Sequence, residues 1–541
     1  MSESAGDGHG KGISHMRVSG RTALRIAIVA AGLAFLGWNQ WRAQHATGTG
    51  SAPTTEAAAP TSAAAVTPAP PRIWKRGSLT LTACTLGQPN SGLSTAAWCG
   101  TLAVPENRAE PQGRKIDLKL AVLRSSAQVA SPDMLAFLAG GPGQAATDYA
   151  GPIAAMLEPL RAHRDILLLD QRGTGGSNAL DCKSDDKGAA SDDSGFDPAK
   201  LRAEAEACLK QVEAHADPRY YTTSDAVQDL DDVRRALGVP EFDLVGVSYG
   251  TRVAQQYAGR HPDAVRSMVL DSTVPNSVVL GEDFAQNLDD ALKAQFARCD
   301  ADTACKQRFG HPYQTLVQLR DALRANPHPV SFRDPETYQT VQRVLSEDAL
   351  VSVVRMFAYT PPTAALLPLS IDAAAHGDVG PLLGQAKLLT VDMADLAGSG
   401  MSYSVICSED ADLLTARPQD ADTLLGNHMV DAYKAICSVW PKGMRPTDFH
   451  QPLKTAKPVL LLAGQYDPVT PPRYAEEVAK HLANARVLLF KGQGHSVLAT
   501  GCGPQLVQHF VEHLDPKTLD AGCLDRLQPT PFFIDFNGAT P

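Results

Sequence analysis

Phe242-Asp243-Leu244-Val245-Gly246-Val247-Ser248-Tyr249-Gly250-Thr251 passes from a strand pattern straight into a helical one, with one serine held between two glycines. Phe242 to Val247 is a short apolar run of the kind that forms a strand covered on both faces. Thr251 to Arg260 then places Val253, Ala254 and Tyr257 at helical spacing before Pro262 stops the helix. A strand that reverses this sharply into a helix leaves room for small residues alone two positions either side of the serine, and the hydroxyl projects from the end of the sheet. The stretch reads as a nucleophile elbow and Ser248 as a nucleophile. In a chain with 43 glycines the bare pattern would be weak, so the strand before it and the helix after it carry the reading.

Outward from the elbow, Met134 to Leu138, Ile166 to Leu169, Met268 to Leu270, Val459 to Leu462 and Val487 to Phe490 are further short apolar runs, the mark of parallel strands buried on both faces. Ile116, Leu118, Leu120 and Val122 alternate with polar residues, as an early edge strand would. Between Asp271 and Lys457 the pattern turns helical. Phe284, Leu288, Leu292 and Phe296 repeat at i+4, and Ser346 can cap a helix through Leu350, Val354 and Phe357. The expected architecture is α/β: a mostly parallel sheet flanked by helices, built from residues 74–275 and 446–541, with residues 276–445 inserted as a helical cap over the site.

The first 73 residues stand apart. A basic stretch, 1–25, carries Lys11, Arg17, Arg21 and Arg25 ahead of the apolar run Ile26 to Trp38, so residues 26–44 read as a signal peptide or a signal anchor. Positive charge before the run leaves the rest of the chain outside the cytoplasm, in the periplasm, cell envelope or medium, with a single membrane anchor if the segment is retained. Residues 45–73, rich in Ala, Thr and Pro, have too little apolar surface to order themselves and form a linker. Ten cysteines follow, an even count that in an exported chain favours disulfides, and sequential pairing would close five short loops. No Cys-x-x-Cys supports a metal instead. A net charge of −10 with no basic stripe argues against a nucleic-acid partner.

A serine nucleophile needs a base, and the base needs a third group to hold its tautomer. In chain order serine, acid, histidine, two positions after the cap qualify. Asp467 follows the strand Val459 to Ala463, and His495 follows the strand Val487 to Phe490. The oxyanion requires backbone donors: the amide of Tyr249, next to the nucleophile, and one from Gly140-Gly141-Pro142-Gly143, with Gly141 favoured and Gly140 the near alternative.

Gly140-Gly141-Pro142-Gly143, Asp170-Gln171-Arg172-Gly173-Thr174-Gly175-Gly176-Ser177 and Gly246-Val247-Ser248-Tyr249-Gly250 together resemble the prolyl and tripeptidyl aminopeptidases of the α/β-hydrolase superfamily. Trp98 to Pro105, Val405 to Asp410, Asp467-Pro468-Val469-Thr470-Pro471 and Gly494-His495-Ser496 extend the likeness, which is closest to the exported tripeptidyl branch. The resemblance implies removal of residues from the free N-terminus of peptide substrates through an acyl-enzyme, without metal or cofactor. Ala139 departs from the pattern, since prolyl iminopeptidases usually carry histidine there; S1-side contacts and proline preference are what it touches. An aminopeptidase must recognise an ammonium group, and Glu409 and Asp410, in the matching cap segment after Cys407, are the candidate carboxylates. Asp170 to Ser177 lacks phosphate-loop spacing and reads as a rigid turn in which Asp170 and Arg172 pair. His509-Phe510-Val511-Glu512-His513 spells an inverted zinc-peptidase motif on a terminal helix and is set aside. The rival readings are a carboxylic-ester hydrolase with the same triad and a hydrolase fold used for binding alone.

Overall fold

The computed structural model describes residues 72–87, 93–182, 197–335, 337–387 and 399–538, all within the compact unit Pro70–Pro541. The apolar run Ile26 to Trp38 and most of the linker lie outside the described residues. Among the described residues no helix is long and apolar enough to cross a membrane.

The strands are β1 (Ile73–Arg76), β2 (Leu79–Gly87), β3 (Ser94–Pro105), β4 (Lys115–Leu123), β5 (Met134–Leu138), β6 (Ile166–Leu169), β7 (Phe242–Val247), β8 (Val265–Asp271), β9 (His328–Arg333), β10 (Thr340–Leu345), β11 (Val459–Gly464) and β12 (Ala485–Phe490). Ten of them form one sheet in the order β1-β2-β3-β4-β6-β5-β7-β8-β11-β12. From β6 to β12 neighbours run parallel, and β1 to β4 join as an antiparallel ribbon that meets β6 antiparallel. Two expectations about edges are corrected here. The Ile116 to Val122 alternation belongs to β4, an interior strand, because β1 to β3 continue the sheet beyond it. The Val487 to Phe490 run is the edge, β12, and Leu489 on it is 41% exposed.

Period-two alternation sorts the parallel strands between two apolar layers. Met134, Ala136, Phe242, Leu244, Val459 and Leu461 face one layer, and Leu135, Phe137, Val245, Leu460 and Leu462 face the other. Helices cover both faces, among them Thr223–Leu237 and Tyr249–Arg260 on the first and Gly503–His513 on the second. Burial on both sides fixes strand register, because a one-residue slip would exchange every side chain between layers.

The segment between β8 and β11 divides in two. Leu288, Leu292, Phe296, Leu350, Val354, Leu367 and Ile371 form a core of their own, roofed in part by the β9–β10 hairpin, which a helical reading did not foresee. Met401, Val405, Ile406, Ile436 and Trp440 pack instead into the first layer of the main sheet. The helix Ser399–Glu409 is therefore bound to the sheet's helices, although the sequence groups it with the cap. Five disulfides pair the cysteines sequentially: Cys84–Cys99, Cys182–Cys208, Cys299–Cys305, Cys407–Cys437 and Cys502–Cys523.

Candidate active site

Ser248 sits between β7 and the helix Tyr249–Arg260 with φ 55° and ψ −124°, a left-handed conformation that non-glycine residues seldom adopt. The glycines two positions either side are forced by contact. A Cβ on Gly246 would lie 2.5 Å from the Gly250 carbonyl oxygen, and one on Gly250 would lie 2.1 Å from the Leu138 oxygen. The Ser248 amide donates to the Asp271 carbonyl at 2.9 Å, and its carbonyl accepts from the Thr251 amide and hydroxyl at 2.9 and 2.6 Å. These three bonds hold the strained turn through the Ser248 main chain, which leaves the hydroxyl uncommitted to it.

The loop after β5 passes directly by. A Cβ added to Gly140 would be 3.2 Å from Ser248 Cβ, and Gly141 is exposed. Ser402, on the helix Ser399–Glu409, donates to the Pro142 carbonyl, so this loop is clamped by a second segment as well. Tyr249 opens its helix, where amides lack intrahelical partners and the helix dipole favours negative charge.

His495 and Asp467 meet at the ends of β12 and β11. His495 Nδ1 lies 2.8 Å from Asp467 Oδ2 and 3.0 Å from Oδ1. Asp467 is buried and its oxygens are filled: Oδ1 accepts from the Val469 and Thr470 amides at 2.9 and 2.8 Å, and Oδ2 accepts from the Thr470 hydroxyl at 2.7 Å. Burial, the largest influence on Asp467, pushes its carboxyl up, but the His495 charge and hydrogen bond and the two amides together hold it below the usual carboxylate range. Burial likewise pulls His495 down, and the Asp467 charge and hydrogen bond, with the Asp271 charge beyond, bring it above the ordinary imidazole value. An ionised acid thus holds Nδ1–H, which leaves Nε2 free to accept a proton. Tyr359, from the cap segment, accepts the His495 amide at 2.8 Å and sets its ring edge-on to the imidazole, centroids 5.2 Å apart.

Glu409 and Asp410 lie side by side in the interior, turned to internal partners. Glu409 accepts from the Thr223 amide at 2.6 Å and the Thr223 hydroxyl at 2.9 Å, and that hydroxyl lies 2.6 Å from the Tyr249 hydroxyl. Asp410 is ion-paired with Arg252 at 2.9 Å, both side chains wholly buried. Burial pushes Glu409 up to about 8, with Arg252 opposing and Asp410 reinforcing. Arg172 pairs with Asp229 through two bonds, Nε at 2.5 Å and Nη2 at 2.6 Å, not with Asp170. Asp170 instead accepts from the Thr147 amide and hydroxyl and from Gly176, because its strand-end position faces the turn it closes. Ala139 lines a small cleft with Gln144, Gln171 and Val253, beside the loop after β5. His509 and His513 are exposed on their helix, and no described group of His, Cys, Asp and Glu could hold a metal.

Sequence reasoning missed Thr470, Tyr359, Ser402 and Asp271. Thr470 alone carried a signal, since an aspartate followed at two and three positions by amide donors is an Asx turn.

The sequence pattern of the alpha/beta hydrolase fold matches residues 134–501, from β5 past His495. The chain belongs to the α/β-hydrolase fold family. It is 27% identical over 465 residues to serine protease Hip1 of Mycobacterium tuberculosis (strain ATCC 25618 / H37Rv), a match covering 78% of this chain and 85% of that protein. It is 24% identical over 472 residues to the tripeptidyl aminopeptidase of Streptomyces coelicolor, covering 80% and 84%. Among solved structures it aligns with the proline iminopeptidase of Mycobacterium smegmatis at 18% identity, 77% and 99% coverage and a TM-score of 0.37, too loose a likeness to bear on function. With the family and these relatives together, the chain is a serine hydrolase of the α/β fold.

Proposed function

We propose that this hydrolase is an exported serine exopeptidase that cleaves peptides from the free N-terminus. The observation that carries the proposal is the Asp467–His495 pair, 2.8 Å between Nδ1 and Oδ2, held at the same sheet end as the Ser248 elbow. The named peptidase relatives, each matched over more than three quarters of this chain, favour a peptide over a simple ester. Five disulfides favour an oxidising compartment outside the cytoplasm.

In this reading Ser248 Oγ attacks the scissile carbonyl carbon as His495 Nε2 takes its proton. Charge that develops on the carbonyl oxygen is met by the Tyr249 and Gly141 amides. His495 returns the proton to the departing amine, and an acyl-enzyme on Ser248 remains. Water then attacks that ester, giving its proton to His495, which passes it to Ser248 Oγ as the acyl group leaves as the carboxylic acid. Asp467 keeps Nδ1–H throughout.

Glu409 suits the substrate ammonium better than Asp410. The Asp410 charge is matched by Arg252, whereas Glu409 is bound by the neutral donors of Thr223 and kept protonated by burial, so an ammonium would supply the cation it lacks. Reaching it requires Thr223 to give up its bonds. Tripeptidyl anilides with free and N-acetylated termini, assayed beside simple acyl esters, test the reading. A preference of about 100-fold or more for the free terminus is expected, the size of one charged contact or more. Equal rates, or turnover of esters alone, would refute it. Glu409→Gln should cut that preference about 10-fold.

A further inference from the structure

The proposed reaction uses Ser248, His495 and Asp467 and leaves aside a fourth titratable group buried beside them. Asp271 ends β8, the strand between β7, which leads to Ser248, and β11, which leads to Asp467. Its carbonyl accepts the Ser248 amide at 2.9 Å. Its carboxylate turns the other way, Oδ1 to the Val497 amide at 3.0 Å and Oδ2 to the Leu498 amide at 2.8 Å. The next residue, Ser272, continues the pattern: its hydroxyl accepts the Ser496 amide at 2.8 Å and donates to Asp271 Oδ1 at 3.3 Å, while its own amide is fixed on the Leu462 carbonyl at 3.0 Å. The three amides that follow His495 in the chain are thus all bound by these two side chains.

Backbone conformation points to the same place. Ser248, Ser272 and Ser496 have φ of 55°, 56° and 65°, three left-handed serines joined by the bonds just described. Each such residue is strained and persists only where its surroundings determine it. The Ser248 and Ser496 amides are both held by the Asp271–Ser272 step, which itself is left-handed at Ser272.

We propose that Asp271 and Ser272 are positioning residues, a two-residue step that binds the backbone of the nucleophile on one side and the turn carrying the base on the other, and so sets His495 against Ser248. The inference rests on the reading of Ser248 and His495 as nucleophile and base. The charged groups facing the Asp271 carboxylate are His495 and Asp467. Burial lifts Asp271 to about 6 against the pull of the Val497 and Leu498 amides, so above that pH it is an anion. As an anion it raises His495, and removing its charge should lower the pH at which His495 becomes a competent base.

Asp271→Asn and Ser272→Ala test this, read by tripeptidyl-anilide kinetics across the acid limb and by the rate at which a fluorophosphonate labels Ser248. Asp271→Asn should lower kcat about 10- to 100-fold, the scale of a small misplacement of reacting groups, with KM unchanged. The acid limb of its kcat profile should move to lower pH, which a space-filling role would not produce. Ser272→Ala removes one hydroxyl and keeps the Cβ; it should lower kcat and labelling about 3- to 10-fold with the limb in place. Unchanged kcat in either folded variant, or a change confined to KM, would overturn the proposal. If Asp271→Asn does not fold, the Ser272→Ala rates decide. Absence of label on wild-type Ser248 would instead refute the reading of the site itself.

Discussion

Asp467→Asn is the substitution whose consequence follows most completely from the geometry. Asp467 Oδ1 accepts the Val469 and Thr470 amides, so in the variant the amide oxygen must take that position. Nδ2 then falls where Oδ2 stood, facing His495 Nδ1 and the Thr470 hydroxyl. An N–H pointing at Nδ1 forces the proton to Nε2, the nitrogen needed to accept from Ser248. The wrong tautomer in an otherwise intact site costs about 10⁴ in kcat in the serine-triad template. That is about 5.4 kcal/mol at 1.36 kcal/mol per decade. Because Oδ1 keeps both its amides, the fold should survive and KM should hardly move. The charge that raises His495 is also gone, so the residual activity should show its acid limb at lower pH than wild type. Steady-state hydrolysis of a tripeptidyl anilide over a pH series, with the thermal midpoint as a folding control, gives all three quantities. A loss below about 10-fold, or one that appears in KM, would refute the assignment of Asp467.

Two further outcomes follow from close contacts. Gly250→Ala would drive a methyl group to 2.1 Å from the Leu138 carbonyl and 2.7 Å from that of Ala139, the residues that lead into the Gly140–Gly143 loop. Overpacking of this kind costs about 1–3 kcal/mol, so the midpoint should fall and activity fall further than stability, as calorimetry and kinetics on the same sample would reveal. Glu409 has a folded value of about 8 against 4.5 for the free side chain, so the folded protein holds the proton more tightly. The stability this contributes is complete below about 4.5 and is lost as pH rises through about 8, and Glu409→Gln, permanently neutral, should flatten the thermal midpoint across that window.

The elbow could be read in the chain because its two requirements, a buried strand and close-packed glycines, are local. The same holds for Asp467 and His495, which follow recognisable strands in the expected order. What escaped depends on contacts between distant segments. Nothing near Tyr359 announces that its carbonyl will receive the His495 amide, and nothing near Ser402 announces the Pro142 carbonyl. The helix Ser399–Glu409 has apolar residues like the rest of the cap, yet it packs into the main core, where the Cys407–Cys437 disulfide joins it to a neighbouring helix. The β9–β10 hairpin was hidden for another reason: along His328 to Arg333 and Thr340 to Leu345 exposed positions alternate with part-buried ones and each strand sets one side chain fully inside, so neither shows the continuous apolar run of the buried strands. Arg172 and Asp170 share the rigid turn in sequence, but Asp229, 57 residues away, meets the guanidinium with two oxygens inside the core.

The central claim is that Ser248 is the nucleophile and His495 its base. Fluorophosphonate labelling followed by intact-mass measurement and peptide mapping tests it most directly, on wild type and on His495→Ala. The account predicts a single adduct on the peptide that contains Ser248, formed far more slowly in His495→Ala. An adduct on another serine, no adduct at all, or equal labelling rates in the two proteins would contradict it.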